Sequence, residues 1–175
     1  MNFVQRTKRF GISPVCAFLI GIPTETSSER LQTLNMIHDI TKIHPKAAIN
    51  GPANFRPYPG GELYNLCVSK YGIRVPDSLK EWSQAEILGG KKLPWIKDED
   101  SMYYQFIWTS IRAATMKRTE FMLCYRRNRL KAMFLFFFCL LSKFRLRTLN
   151  YKLPFEFYLL DWYYKYIVKH YPEYS

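Results

Sequence analysis

Val15-Cys16-Ala17-Phe18-Leu19-Ile20-Gly21-Ile22-Pro23-Thr24-Glu25-Thr26 begins as an unbroken apolar run and then stops sharply. An apolar run of that length predicts a strand buried on both faces of a parallel sheet. Gly21 opens backbone torsions closed to other residues, and Pro23 removes a donor. Thr26 and Glu29 have the spacing of a helix-opening capping box. The stretch therefore reads as strand, tight turn, helix, which is half of a βα unit. In α/β folds the turn after the carboxyl end of a strand is where ligands bind.

Outward from that stretch the pattern continues. Leu31, Leu34, Ile37 and Ile40 recur at helical spacing, so the helix from Ser27 to Ile43 has an apolar face able to cover a sheet. Pro45 ends it. Ala47 to Phe55 is a second strand, weakened by its Gly and Pro. The turn Arg56-Pro57-Tyr58-Pro59-Gly60-Gly61 leads into a helix over 62–71 closed by Gly72. Ser78 with Glu81 opens a short helix over 79–87. On the amino-terminal side, Asn2 to Arg9 followed by Gly11 resembles the last turns of a helix.

Gly89-Gly90-Lys91-Lys92-Leu93-Pro94-Trp95 marks the expected boundary, which places one domain at 1–88, a linker at 89–97 and a helical region at 98–175. Beyond it, Asp98, Glu99, Asp100 and Ser101 give an acidic helix start, and Tyr103, Phe106, Ile107, Ile111 and Ala114 form one apolar face. From Trp95 to Leu153 there is neither Gly nor Pro, so two or three helices fill this part. Pro154 to Tyr174 reads as a further helix.

The charge of +12 is unevenly placed: residues 1–110 hold 13 Lys/Arg against 10 Asp/Glu, and residues 111–175 hold 13 against 4. Basicity belongs to the C-terminal part, where it implies an anionic surface or a solvated face. The helix bearing Arg126, Arg127, Arg129 and Lys131, the run Ala132 to Leu141, and then Lys143, Arg145 and Arg147 fits an interfacial helix with basic flanks. The plainer alternative, a core helix packed on the first domain or on a partner, is favoured because the aromatics wrap all sides of the helix. Nucleic acid is not expected, since the aromatics cluster apart from the basic residues.

Cys16, Cys67, Cys124 and Cys139 lie 51, 57 and 15 residues apart, which excludes a zinc knuckle or a redox CxxC and reads as reduced thiols. His38, His44 and His170 are scattered and non-catalytic in this reading. No P-loop, GxSxG, HExxH or GxGxxG occurs. The first ten residues carry no secretory pattern, and the charge-free run at 132–142 is too short to span a bilayer. The expected location is cytoplasmic, with a peripheral contact to an anionic membrane as one use of the basic helices. At the turn, backbone groups freed by Gly21 and the Glu25 carboxylate could cradle a nucleotide-like ligand, while Phe55 or Tyr58 could lie against a flat ring. A turn whose Glu25 only stabilises the next helix has equal weight.

Taken together, Phe18 to Thr26, Arg56-Pro57-Tyr58-Pro59-Gly60-Gly61-Glu62-Leu63-Tyr64 and Pro76-Asp77-Ser78-Leu79-Lys80-Glu81-Trp82 resemble the second half of a radical S-adenosylmethionine (SAM) domain. The likeness is to the cobalamin-binding branch, typified by the anaerobic magnesium-protoporphyrin monomethyl ester cyclases. Lys143-Phe144-Arg145-Leu146-Arg147 with Leu153-Pro154-Phe155-Glu156 is similar to the C-terminal region of such proteins. Each motif is loose alone; their order and spacing carry the resemblance over most of the chain.

The resemblance implies an α/β fold, the C-terminal half of a partial (β/α) barrel of radical SAM type followed by a mostly helical region. Pro14 to Ile20 would be the fifth strand and Ala47 to Phe55 the sixth. Ile20, Gly21 and Glu25 would lie near the adenosyl group of SAM, with Asn54 and Phe55 beside the adenine. The family's [4Fe-4S] cluster is held by a CxxxCxxC triplet, and its cobalamin by an N-terminal domain; this sequence contains neither. The expectation is a C-terminal fragment with no catalytic or metal-ligating residues of its own. Its expected partner is the missing N-terminal half as a separate chain. The other class of reading is a non-catalytic protein that contacts a partner or an anionic membrane through its basic aromatic helices.

Overall fold

A computed structural model describes residues 1–74, 76, 78–84, 94–96, 98–127, 129–151, 155 and 158. The elements run α1 (Asn2–Arg9), β1 (Val15–Ile20), α2 (Ser27–Ile43), β2 (Ala48–Asn54), α3 (Glu62–Tyr71), α4 (Leu79–Gln84), α5 (Asp98–Ala114), α6 (Arg118–Arg127) and α7 (Arg129–Thr148). The protein is thus a mixed α/β chain of helices and one two-stranded parallel sheet. It divides into two compact units, Met1–Trp108 and Thr109–Ser175, the division falling inside α5. Most of the expected 89–97 linker, the end of the expected 79–87 helix and nearly all of the expected 154–174 helix lie outside the described residues.

In the first unit β1 and β2 pair in parallel, with Val15 opposite Ala48 and Ile20 opposite Asn54. The ladder is extended at both ends: Ala48 N–H donates to the Pro14 carbonyl at 2.9 Å, and Phe55 N–H to that of Ile20 at 2.8 Å. The Gly and Pro that weaken β2 in sequence terms have a defined place. The register shifts between Ala17 and Leu19, so that Phe18 alone opposes Gly51 and Pro52, a β-bulge. Gly51 has φ +103°, and a Cβ there would stand 2.5 Å from the Phe18 carbonyl oxygen and 2.6 Å from the Ala53 nitrogen. Only glycine fits. Pro52, which has no N–H to offer a ladder, is buried at the bulge.

One face of the sheet is covered. Cys16 and Phe18 of β1 and Ile49 of β2 pack with Ile40 and Ile43 of α2, Val4 of α1 and Ala47. Leu34, Ile37 and Ile40 are buried as the helical spacing predicts, each worth roughly 2 kcal/mol over an exposed side chain. Leu31, one turn earlier, is exposed and does not belong to that face. The burial of β1 on both faces, expected from its apolar run, does not hold within this chain. Val15 is 71 % and Leu19 54 % exposed, and Ala17, Asn50 and Ala53 on the same face are also exposed. The reason is simple: no described element covers that side of the two strands.

The helix ends follow their local chemistry. Glu29 N–H donates to Thr26 Oγ1 at 3.2 Å, and the Glu29 carboxylate accepts from Thr26 N–H at 2.8 Å, a complete capping box. Gly72 closes α3 in the left-handed conformation, and Ser78 Oγ accepts from Glu81 N–H at the start of α4. His44, the C-cap residue of α2, is buried with its Nε2 2.9 Å from the Ile12 carbonyl oxygen.

In the second unit α6 and α7 pack together, and Ala113 at the end of α5 joins Phe138 and Cys139 of α7, with Met116 and Leu135 alongside. Arg145 is buried and donates to the Asn150 carbonyl at 2.8 Å, tying the end of α7 to the chain that follows it. Among the described residues no helix is long and apolar enough to cross a membrane.

Two outcomes follow from these contacts. Gly51→Ala is expected to lower the stability by at least about 2 kcal/mol in a urea titration, because the new Cβ meets backbone rather than a movable side chain. The second concerns acid. The hydrogen bonds from Thr26 hold the Glu29 carboxyl below its ordinary value of 4.5, so the capping box contributes fully above that value and is lost as pH falls through the lower folded value. Helicity followed by circular dichroism during acid titration should show a component in that window, and Glu29→Gln should remove it.

Candidate functional site

The sheet brings the five candidate residues to one edge. Ile20 and Asn54 are ladder partners at the carboxyl ends of the two strands, Gly21 and Phe55 follow them directly, and Glu25 folds back over the turn. Distance in sequence, about thirty residues, is removed by the parallel pairing alone. Ile20 is fully buried, whereas Glu25, Asn54 and Phe55 are half-buried.

Glu25 is held from three sides. Its Oε2 accepts from Gly21 N–H at 2.9 Å, from Arg30 Nε at 3.2 Å and from the Tyr104 hydroxyl at 3.5 Å. The side chains of Arg30 and Glu25 are 15 % and 6 % exposed, which makes this a largely dry ion pair. Arg30 also lies over the Tyr104 ring at 4.5 Å and the Tyr103 ring at 5.7 Å. The carboxylate thus binds the turn to α2 and to α5. Its expected use as an acceptor for a ligand is joined by a structural one that sequence spacing alone does not reveal.

Gly21 has φ +73°, and the space beside its Cα is filled by Ile96 at 3.1 Å and Tyr104 at 3.4 Å from where a Cβ would stand. Its carbonyl accepts from Trp95 Nε1–H at 2.8 Å. Trp95 in turn meets the Tyr71 ring edge-on at 5.5 Å and the Phe55 ring at 6.2 Å, while the Tyr71 hydroxyl donates to the Pro23 carbonyl at 3.1 Å. Four side chains, Arg30, Tyr71, Trp95 and Tyr104, therefore complete the site, and sequence reasoning missed all of them. Arg30 carried a faint signal, a cation about one helical turn beyond Glu25. Trp95 and Tyr104 carried none, because they arrive from 74 and 79 residues away.

One polar atom is left over. Asn54 Oδ1 is buried and has no hydrogen-bond partner. A buried amide oxygen without a donor costs about 1–3 kcal/mol, so an amino or hydroxyl donor from a ligand placed at this edge would remove that penalty. Tyr58, the other candidate for stacking on a flat ring, is exposed and stands apart from this cluster of contacts.

The four cysteines form no disulfide. Cys16 is on β1, Cys67 on α3, Cys124 on α6 and Cys139 on α7, and all four are free. Burial pushes the Cys67 thiol up, and burial outweighs the nearby Lys143 in pushing up that of Cys139, so both resist forming the thiolate that a metal requires. Among the described residues no three His, Cys, Asp or Glu side chains are grouped as metal ligands. No family model, curated protein or solved structure matches the chain.

The network around Glu25 predicts a graded response. Glu25→Ala leaves Arg30 and the Gly21 N–H without their acceptor and is expected to destabilise the fold by about 3 kcal/mol. Arg30→Ala should do so by a similar amount, and the double variant by clearly less than the sum. Urea unfolding of the four proteins provides the cycle; additive losses would show that the pair is not coupled.

Proposed function

We propose that this chain is the C-terminal part of a radical SAM enzyme of the cobalamin-dependent type, supplying part of the SAM-binding wall and a helical extension, and inactive without the remainder of the barrel. One observation carries the reading. A two-stranded parallel sheet, covered by α2 on one side, presents Val15, Ala17 and Leu19 bare on the other. Parallel sheets in α/β proteins are covered on both faces, and two strands alone are marginal in water. Further strands beside β1 and β2, curving into a barrel, would cover that face and continue the ladder.

The carboxyl edge supports the same reading. Ile20, Gly21, Glu25, Asn54 and Phe55 converge there, at the end of an α/β sheet where ligands bind. The fit to SAM differs along the edge. Asn54 offers the unpaired Oδ1, suited to the exocyclic amino group of an adenine, and Phe55 a half-buried ring beside it. Gly21 and Glu25, already engaged by Trp95, Ile96, Tyr104 and Arg30, shape and stiffen the wall. Bound SAM would supply the adenosyl group that such enzymes turn into a radical; this chain's part is to hold it and keep water out.

No [4Fe-4S] ligands are assigned to this chain: its sequence has no CxxxCxxC triplet, and burial raises the Cys67 and Cys139 thiols. Cobalamin likewise has no assigned ligand in this chain. The remainder of the barrel, as a separate chain or as sequence encoded upstream, would bring the CxxxCxxC triplet.

Two measurements test the proposal. Sequencing the DNA upstream of the Met1 codon should reveal a region encoding CxxxCxxC, in frame or shifted, and a promoter without such a region would overturn it. Anaerobic reconstitution of the chain alone should yield neither stoichiometric iron nor 5′-deoxyadenosine from SAM, and a stoichiometric cluster would refute the assignment of the ligands to the missing half.

A further inference from the structure

α7 has two apolar sides, and among the described residues only one of them is buried. Ala132, Phe138, Cys139, Ser142 and Leu146 are buried. At roughly 100° per residue, Met133, Phe134, Phe137, Leu140, Leu141 and Phe144 fall within an arc of about 120° on the opposite side. All six are exposed, Phe137 at 59 % and Phe144 at 62 %. Phe136, at the rim of the arc, leans on Phe121 of α6 at 6.2 Å. The aromatic run therefore does not wrap a fully buried helix; its second side faces outward.

The charges are arranged to match. Arg129, Lys143 and Arg147 are exposed and project along one border of the arc, at roughly 280–320° on the same wheel. On α6, Arg118 and Arg126 are exposed with Met122 and Leu123. Between Thr109 and Tyr151 the chain carries ten Lys/Arg and a single acidic residue, Glu120, a net charge of +9. A second copy would bring the same charge to the contact and be repelled by it. An acidic peptide without an apolar face would pair with the cations and leave the phenylalanines in water. A bilayer of anionic lipids satisfies both: acyl chains take the aromatic arc, and headgroup phosphates take the arginines and lysines at its border.

We propose that the α6–α7 unit docks on an anionic phospholipid surface, with α7 lying in the interface and its Phe137 and Phe144 inserted. This reading is independent of the SAM assignment, because it uses neither the sheet nor its edge.

Flotation of the full chain with vesicles tests it, since protein that merely aggregates sinks. The chain should float with phosphatidylcholine vesicles containing about one-third phosphatidylglycerol, remain behind with phosphatidylcholine alone, and be released at ~0.5 M NaCl. Phe137→Ser with Phe144→Ser, both at exposed positions, should weaken flotation at least about tenfold while circular dichroism stays unchanged. Lys143→Gln with Arg147→Gln should weaken it on the order of 20-fold, from about fivefold per cation. Failure to float, or flotation indifferent to both pairs of substitutions, would overturn the proposal. So would a phenylalanine variant that lowers the mass of the protein in light scattering without changing its flotation, which would assign the arc to a second copy instead.

Discussion

The parallel pairing of β1 with β2 is the constraint on which the first unit depends. It lays the carboxyl ends of two strands side by side and so brings Ile20, Gly21, Asn54 and Phe55 together from points thirty residues apart. That pairing depends in turn on a bulge where backbone passes backbone so closely that only Gly51 can occupy the position. The apolar face of α2 then anchors the pair from one side. Among the described residues nothing covers the other side, where Val15 and Leu19 are exposed.

The turn after β1 shows how one carboxylate can serve a scaffold. Glu25 satisfies the Gly21 N–H, neutralises Arg30 and receives the Tyr104 hydroxyl, all through one oxygen. The Gly21 carbonyl is taken by the Trp95 indole, which stacks into a small aromatic cluster with Phe55 and Tyr71. In so dry a setting each unmet donor or acceptor is expensive, so the network is rigid once formed. Against that background the unpartnered oxygen of Asn54 is the exception at the edge, and it gives the proposed ligand wall its chemical content.

The two units present different faces to their surroundings. The first offers an apolar strand face, with Val15 and Leu19 exposed. The second offers phenylalanines bordered by arginine and lysine, which suit a lipid interface. Both are apolar surfaces left exposed, and they differ in the charge around them: near balance in residues 1–110, strongly positive beyond.

Local features were legible before any coordinates. The capping box of Thr26 and Glu29, the Gly72 stop, the turn at Gly21 and the helical faces of α2 and α5 are each written in residues less than one or two turns apart, where hydrogen bonds and side-chain periodicity act directly. That Ile20, Gly21, Glu25, Asn54 and Phe55 lie at one strand edge was implied by the family resemblance, not by the local pattern of residues. What the chain's residues could not announce is whatever joins distant segments: the Trp95 and Tyr104 contacts to the turn, the bulge that explains Gly51 and Pro52, the exposure of Leu31, and which side of α7 is exposed. An apolar run states that a surface wants cover; which neighbour provides it is set by the packing of elements far apart in sequence, and among the described residues β1 and α7 are each buried mainly on one side.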